Sequence, residues 1–565
     1  LIANVRGQDA ETAPSGFAGQ VDLTPLRGVA VQDTGRLKSF DTFARNMLRY
    51  VSGSRDIRGQ EPSFTYLDLM FRPESYADED IIYVKKKQIR RAIAESLKGT
   101  GAADASRLER FQKTGLISPM LLGHPKVSML LERLQSDLLR TAKSVDRIRG
   151  ALRTADPRTL SFALRLVPPP NGGPKDEWFP VDRVMAQPDM PRDTTHAGLG
   201  PEPIAGLSAD QQQQLSQTWS DLAKAWRSQD AGAATAAVDR FATLIGGVRP
   251  DLYPDLQRLS LESWYFRYKN LTWIWMFYLL ALIPLLMSVI YKWDWARVAG
   301  LGLFGLAFAA HTAALLIRWY VAQRWPNSNM FEAVTTAAWF GGAIALVLEV
   351  LARKTALRNL FALGSGVASM AALMAAYYLP LQLNAHIGNR MPVLHDVWLY
   401  IHTNVIIASY CLIAMAAVTA FLYLVYRLFG GGRAVAKAGG AGSLIMGTGP
   451  GGSFLQSGSE SKATAGQILD ASTMVLMELS FILLWAGIVM GAIWADHSWG
   501  RPWGWDPKEV FALNTFVIFL LLVHVRIKVR DRGLWTALLA VLGCVVMMFN
   551  WIVVNFVITG LHSYA

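Results

Sequence analysis

Ala495-Asp-His-Ser-Trp-Gly-Arg-Pro-Trp-Gly-Trp-Asp-Pro-Lys-Glu509 lies between two apolar runs, about 470–494 and 509–527. Each run has the length of a bilayer-crossing helix, about 20 residues. The stretch between them is of another kind. Trp499, Trp503 and Trp505 fall within seven residues, interleaved with Gly500, Pro502 and Gly504 and followed by Asp506 and Pro507. Glycine and proline break helices, so the sequence predicts a surface loop over 495–509 whose three rings form a rigid aromatic shelf. A shelf of this kind suits a large, flat, mostly apolar ligand with polar edges. Tryptophan also serves as an interfacial anchor, but anchors are scattered singly, whereas these three are clustered.

The same alternation runs through the C-terminal half. From about residue 272 the chain holds eight apolar spans, near 272–291, 298–318, 333–351, 359–380, 397–426, 470–494, 509–527 and 535–558. The expected fold is an all-α polytopic membrane protein over 266–565, preceded by a mainly helical region over 1–265. The 1–2, 3–4, 5–6 and 7–8 connections carry most of the cations, including Lys292, Arg297, Arg353, Lys354, Arg427 and Lys528. The other connections hold chiefly Arg324, Arg390, Arg501 and Lys508. The positive-inside rule then puts the first set in the cytoplasm. Residues 1–265, the tryptophan loop and the C-terminus are expected outside, on the periplasmic side of a bacterial-type inner membrane. The connection over 430–466 is rich in Gly, Ser and Ala and reads as a cytoplasmic linker. Its Gly447-Thr-Gly-Pro-Gly-Gly452 matches a nucleotide-loop pattern by letter only, with no strand before it and no Gly-Lys-Ser/Thr after it.

Composition agrees with this reading. The chain has 565 residues, 52% hydrophobic and 17% charged, with a net charge of +12. Much of the basic excess sits at span ends, and no basic stripe interleaved with aromatics points to nucleic acid. Cys411 and Cys544 both fall in apolar spans, and no Cys-x-x-Cys occurs. The chain is therefore expected to be neither a thiol oxidoreductase nor a c-type cytochrome. It begins at Leu1 rather than Met, as it would if a signal peptide were removed or an upstream segment were missing.

Four features stand out in the N-terminal region. Val127–Leu152 has the spacing of one amphipathic helix. Ser208-Ala-Asp-Gln211 predicts a capping box opening a helix through Trp219 and Trp226. Val167–Pro203, rich in Pro and Gly, predicts a linker. Val31-Gln-Asp-Thr-Gly-Arg36 and Phe40-Asp-Thr-Phe-Ala-Arg45 read as a loop leading into a helix.

The histidines supply candidate metal ligands. His402, near the outer end of span five, and His562, just beyond span eight, share a membrane face with the tryptophans. Imidazole is a common protein ligand for haem iron, and two facing histidines can fill both axial positions. Capping a span end is the plainer role for either. His524 lies inside span seven, 15 residues past Glu509 and so about 22 Å from the outer face at helical rise. An ionisable group at such depth is by default a functional candidate. His311 lies in span two, about 10 Å below the outer boundary at helical rise. His386 and His395 read as solvated loop residues.

The motif Trp499-Gly-x-x-Trp503-x-Trp505-Asp506-Pro-Lys-Glu509 resembles the tryptophan-rich "WWD" signature of haem-handling membrane proteins. Its Asp-Pro-Lys-Glu ending resembles the CcsA (ResC) branch, the cytochrome c synthase of System II. Trp398-Leu-x-x-His402 and His562-Ser-Tyr564 are similar to that family's two external haem-ligating sites, and His524 matches its intramembrane histidine. Arg318-Trp-Tyr320 and Pro326-Asn-Ser-Asn-Met-Phe-Glu332 are similar to its external loop, where Asn329 and Glu332 either shape the haem chamber or cap span three. Val31–Arg45 is similar to a segment preceding the membrane part in some CcsA-like proteins. Asp496 and His497 depart from the family's usual residues. The resemblance covers about 300–565 well and the rest weakly.

It implies covalent thioether attachment of haem b to apocytochrome c bearing Cys-x-x-Cys-His. Trp499, Trp503 and Trp505 would hold the porphyrin, and His402 and His562 would ligate iron. Asp506 would either line the site or fix the loop through backbone bonds. Arg501 and Lys508 would pair with propionates or act as interfacial cations. The second intramembrane ligand in fused relatives comes from a ResB-like half. None is recognisable here, so a separate partner supplies it or His311 substitutes. A haem exporter or chaperone without ligase activity, and a non-haem transport subunit, are the rival functions.

Overall fold

The computed structural model describes residues 16–53, 57–137, 140–185, 204–388, 396–432, 464–555 and 558. The chain divides into two compact units, Leu1–Arg267 and Tyr268–Ala565.

The first unit is mainly helical, with three two-stranded antiparallel sheets among its described residues. The stretch expected as a loop after Val31 is a β-hairpin. β1 (Ala30–Asp33) pairs with β2 (Arg36–Ser39) across Thr34-Gly35, whose φ values are 51° and 74°. Two left-handed residues are what a two-residue hairpin of right-handed twist requires. Ser39 then caps the helix Phe40–Ser52 by accepting from the Thr42 N–H. Lys38 is fully buried with its Nζ 2.7 Å from Asp33. Burial pulls its ammonium below the ordinary lysine range, and the Asp33 charge opposes that shift.

The capping box at Ser208 and Gln211 forms as expected, opening the helix Ala209–Arg227. That helix buries Trp219 against Phe241 and Phe71, while the Trp226 indole donates to Asp68 at 2.9 Å. The single helix expected over Val127–Leu152 is instead two, Pro125–Gln135 and Ala142–Thr154. Asp137 interrupts it. Its carboxylate accepts the Arg140 N–H and its carbonyl accepts those of Thr141 and Ala142, a local alternative to the helical ladder. The stretch expected as linker is packed over its first half. Arg165–Val167 pairs with Phe179–Pro180, and Trp178, Val181 and Val184 are buried; the remainder, 186–203, lies outside the described residues.

The second unit is a bundle of eight helices long and apolar enough to cross a membrane: Lys269–Tyr291, Asp294–Ala322, Met330–Ala352, Leu360–Tyr378, Val397–Leu428, Ala465–Trp499, Pro507–Arg526 and Arg532–Val554. They are called spans one to eight below. The chain is an all-α multi-pass membrane protein. Span five is its pivot, packed against spans three, four, six and eight. Span six runs five residues further than its apolar pattern, to Trp499, and stops at Gly500 with φ 68°, a left-handed helix end open to glycine. Span eight closes in a π-helical turn, Asn550–Val554. At the opposite end Arg526 of span seven makes a bidentate pair with Asp470 of span six (2.7 and 2.8 Å) and donates to Thr536 of span eight.

Candidate functional site

The tryptophan stretch does not form a single shelf. Trp499 belongs to the last turn of span six and meets Trp494 edge-to-face, with centroids 4.8 Å apart. Trp503 and Trp505 are perpendicular, at 88° and 5.9 Å. Trp505 points outward, 72% exposed, from a backbone held at φ 56°, a costly conformation for a bulky side chain. The helix end divides the three rings: span six runs through Trp499, so that ring stands on a helix, while Trp503 and Trp505 stand on the turn Gly500–Asp506, perpendicular to one another.

What holds the turn is the start of span seven. Asp506 is buried and accepts from the Lys508 N–H, while Glu509 Oε2 accepts from Gly504 N (2.9 Å) and Asp506 N (3.1 Å). Asp506 and Glu509 form a reciprocal capping box. Both carboxylates are thus spent on loop amides, the structural role weighed for Asp506 above.

Trp503 lines a cavity of about 290 Å³ in the tryptophan end of the bundle. Spans five, six, seven and eight all contribute to it. Span five gives Leu399, Tyr400, His402, Thr403, Ile406 and Tyr410; span six gives Ile488, Gly491, Ala492 and Trp494. Lys508, Glu509 and Ala512 come from span seven, and Asn550, Trp551 and Asn555 from the π turn and the residue after it. The connection before span three adds Asn327 and Ser328. A π turn is wider than an α turn and is often found at functional sites; here it brings Asn550 and Trp551 into the wall together. Asn550 donates to the Tyr410 hydroxyl at 3.0 Å, and the Trp551 ring meets Tyr410 edge-to-face.

His402 is oriented within this cavity by a neighbouring helix. Its Nδ1 lies 2.7 Å from the Gly487 carbonyl of span six. A carbonyl only accepts, so Nδ1 carries the proton and the neutral ring has its lone pair on Nε2. That is the usual arrangement of a metal-binding imidazole, whose other nitrogen is fixed by a second partner. The residues just after His402 are tied down as well. Asn327 donates to Thr403 at 3.0 Å and the Trp325 indole to Asn404 at 2.9 Å.

Asn329 and Glu332 serve the frame rather than the cavity. Asn329 caps span three by accepting from Glu332 N. Glu332, fully buried, is clamped by Arg318 (2.7 Å) and Arg324 (2.8 Å), and the two guanidinium groups also donate to the carbonyls of Ala385 and Gly388. Arg501 is exposed and is not among the cavity's lining residues, whereas Lys508 is. His497 stands 3.8 Å from Asp396 in a shallower depression that shares Ile488, Ala492 and Pro502 with the cavity. His386 is half-buried and its carbonyl accepts from Asn329.

The two further histidines of the second unit with described surroundings, His311 and His524, have separate partners. His311 is buried on span two, its Nδ1 3.3 Å from the Tyr278 hydroxyl of span one, and its Nε2 has no hydrogen-bond partner among the described residues. His524 is exposed on span seven, with Nδ1 bonded to its own helix at the Leu520 carbonyl (2.9 Å). Val517, Leu520, Leu521, His524 and Lys528 make one exposed stripe at helical spacing. Span seven is the least buried of the eight. His562 and His395 lie outside the described residues. Sequence reasoning missed Trp494, Tyr410, Asn550 and Trp551. A polar Asn550, about two turns before the end of an apolar run, was the available signal.

Residues 327–562 match the family described as "Cytochrome C assembly protein". The chain is similar to proteins named "Cytochrome c biogenesis protein CcsA". That of Synechococcus sp. (strain CC9902) is 32% identical over 257 residues, covering 45% of this chain and 82% of the relative. That of Pyropia yezoensis is 29% identical over 304 residues, covering 48% and 91%. That of Porphyra purpurea is 28% identical over 302 residues, covering 50% and 93%. The relatives therefore account for about half of this chain and nearly all of themselves.

Proposed function

The chain belongs to the CcsA family of cytochrome c assembly proteins, and on that premise we propose that it delivers haem and joins it to apocytochrome c by thioether bonds. Cytochrome c biogenesis entails haem handling and contact with an apocytochrome; the attachment step is the part proposed. The observation that carries it is the cavity at the tryptophan end, which holds an imidazole already fixed in its metal-binding tautomer beside Trp503 and Trp494. The residues fit haem b. There is an apolar wall, an oriented nitrogen donor, and Lys508 as a cation for a carboxylate edge.

His402 is assigned as one axial ligand and His562 as the other, until the histidine of the substrate's Cys-x-x-Cys-His displaces one. Trp503 is assigned to the porphyrin face, and Trp499, Trp505 and Asp506 to the frame around it. In the reaction each substrate thiol adds its S–H across one vinyl C=C, so no oxidant is needed. This chain's residues orient the haem and exclude water, where near-attack geometry tolerates little displacement. The cavity and residues 1–265 face outward from a bacterial-type inner membrane, with 430–466 in the cytoplasm.

His524 is assigned to an intramembrane haem site completed by a ResB-like partner. An ionisable side chain at membrane depth almost always faces protein or a water-filled cavity, and the His524 stripe is exposed in this chain alone.

The test uses the purified chain, with its partner, and a reduced Cys-x-x-Cys-His peptide, reading attached haem on a denaturing gel. Wild type is expected to carry low-spin b-type haem and to transfer it. Trp503→Ala should lower transfer more than bound haem. Retention of haem with no transfer would favour an exporter, and purification without haem would favour a transport subunit.

A further inference from the structure

Two glycines of span six stand one turn apart, Gly487 and Gly491, and both face span five. A Cβ built on Gly491 would lie 2.6 Å from His402 Cε1, 2.8 Å from Nδ1 and 3.2 Å from Nε2. The whole nitrogen-bearing edge of the imidazole therefore rests on a position with no side chain. A Cβ on Gly487 would instead meet Ile406, at 2.5 Å from Cδ1 and 2.8 Å from Cγ1. Small residues four apart let two membrane helices approach closely. Here the approach does something more specific. It brings the Gly487 carbonyl within 2.7 Å of Nδ1 while Gly491 leaves the space that the ring occupies.

We propose that Gly491 and the Gly487 carbonyl form a seat that sets the tautomer and direction of His402, making Gly491 a positioning residue for haem ligation. The proposal rests on the reading of His402 as an iron ligand. Its physical content is a competition for space. An imidazole has two side-chain torsions, and only one setting satisfies the Gly487 carbonyl. A methyl group at 491 closes that setting. The ring must swing, and the Nδ1–H···O bond to Gly487 breaks. Loss of such a second partner typically costs about 10- to 100-fold in metal affinity. A methyl at Gly366 of span four would meet the end of Leu282 of span one at 2.9 Å, outside the cavity lining, so it adds the same volume to a helix contact without touching the ring.

The test compares Gly491→Ala, Gly366→Ala, His402→Gly and the double variant Gly491→Ala/His402→Gly. Each is made as the full chain with its partner and purified in detergent. The readouts are the low-spin haem spectrum and its response to added imidazole. Gly491→Ala should lower the low-spin signal by about 10-fold or more, and imidazole should restore it. Gly366→Ala should match wild type. In the His402→Gly background, with imidazole supplied, Gly491→Ala should have no further effect, because no tethered ring remains to be displaced. That arm also holds if the single Gly491 variant is recovered poorly.

A wild-type spectrum in Gly491→Ala overturns the proposal. So does an equal loss in Gly366→Ala, which would mean that helix packing and not ring seating is at stake, and so does a further loss in the double variant. If His402→Gly itself keeps the wild-type spectrum, the ligand assignment fails first, and the seat with it.

Discussion

The tryptophan end of the bundle and the outward face of span seven each carry a histidine whose Nδ1 donates to a backbone carbonyl, and they differ in whose carbonyl it is. His402 uses Gly487, a residue of another helix 85 positions away. His524 uses Leu520, four residues back on its own helix. A ring held by a second helix is oriented by tertiary packing before any ligand arrives. A ring folded back on its own helix is satisfied locally, and its surroundings remain to be supplied. The first region is a cavity lined by spans three, five, six, seven and eight. The second is an exposed stripe on the least buried span, half of a site only in the proposed reading.

The sharpest way to break this contrast is substitution of the two histidines. His402→Gly should abolish the low-spin haem signal of the purified chain, and imidazole should restore it because the cavity is already built. His524→Ala should lower haem loading of the outer site only in cells that supply the whole pathway. Equal effects in the isolated chain would end the distinction. Next in size is the anchor of span seven. Asp470→Ala leaves Arg526 buried without its carboxylate, and loss of one partner of such a pair costs about 3–5 kcal/mol. A lowered thermal midpoint in detergent reads it, and an unchanged midpoint would mean that span seven is held otherwise.

A cysteine at Leu521 should react with a lipid-soluble maleimide when the chain is alone and be protected several-fold when the partner is present. Equal labelling would leave the His524 stripe facing lipid in both states. The smallest effect is expected from Glu509→Ala, which frees the Gly504 and Asp506 N–H groups. The capping loss is about 1 kcal/mol, visible as easier quenching of tryptophan emission without loss of haem.

Much of the membrane architecture was legible because apolar length is a strong signal. All eight spans were readable from the sequence, and only their ends moved. Trp499 shows why ends are hard: a helix continues past its apolar stretch when packing favours it, as against Trp494. His402 was legible from its depth and its neighbours in sequence. Its partner Gly487 was not, since a glycine within an apolar span carries no mark of the carbonyl it offers. Val31–Arg45 was read as a loop because four-residue strands give too short an alternation to register, although Thr34-Gly35 was available as a turn signal. The break at Asp137 was hidden for a related reason. The apolar spacing continued across it, and a single side chain made the turn.

The π turn at Asn550–Val554 has a consequence for how such a site can change over generations. A π turn holds one residue more than the α turn it replaces, so one deleted codon in that turn would convert it to α. The residues within the turn would then shift against the cavity, while the helix on either side keeps its facing. Asn550 and Trp551 would no longer enter the cavity together, while the packing upstream, through Met547, would stay as it is. The wall around the ligand can thus be re-cut by a single in-frame gain or loss that leaves the bundle standing. Among related chains, one-residue length differences at this point are where divergence in ligand shape is best sought.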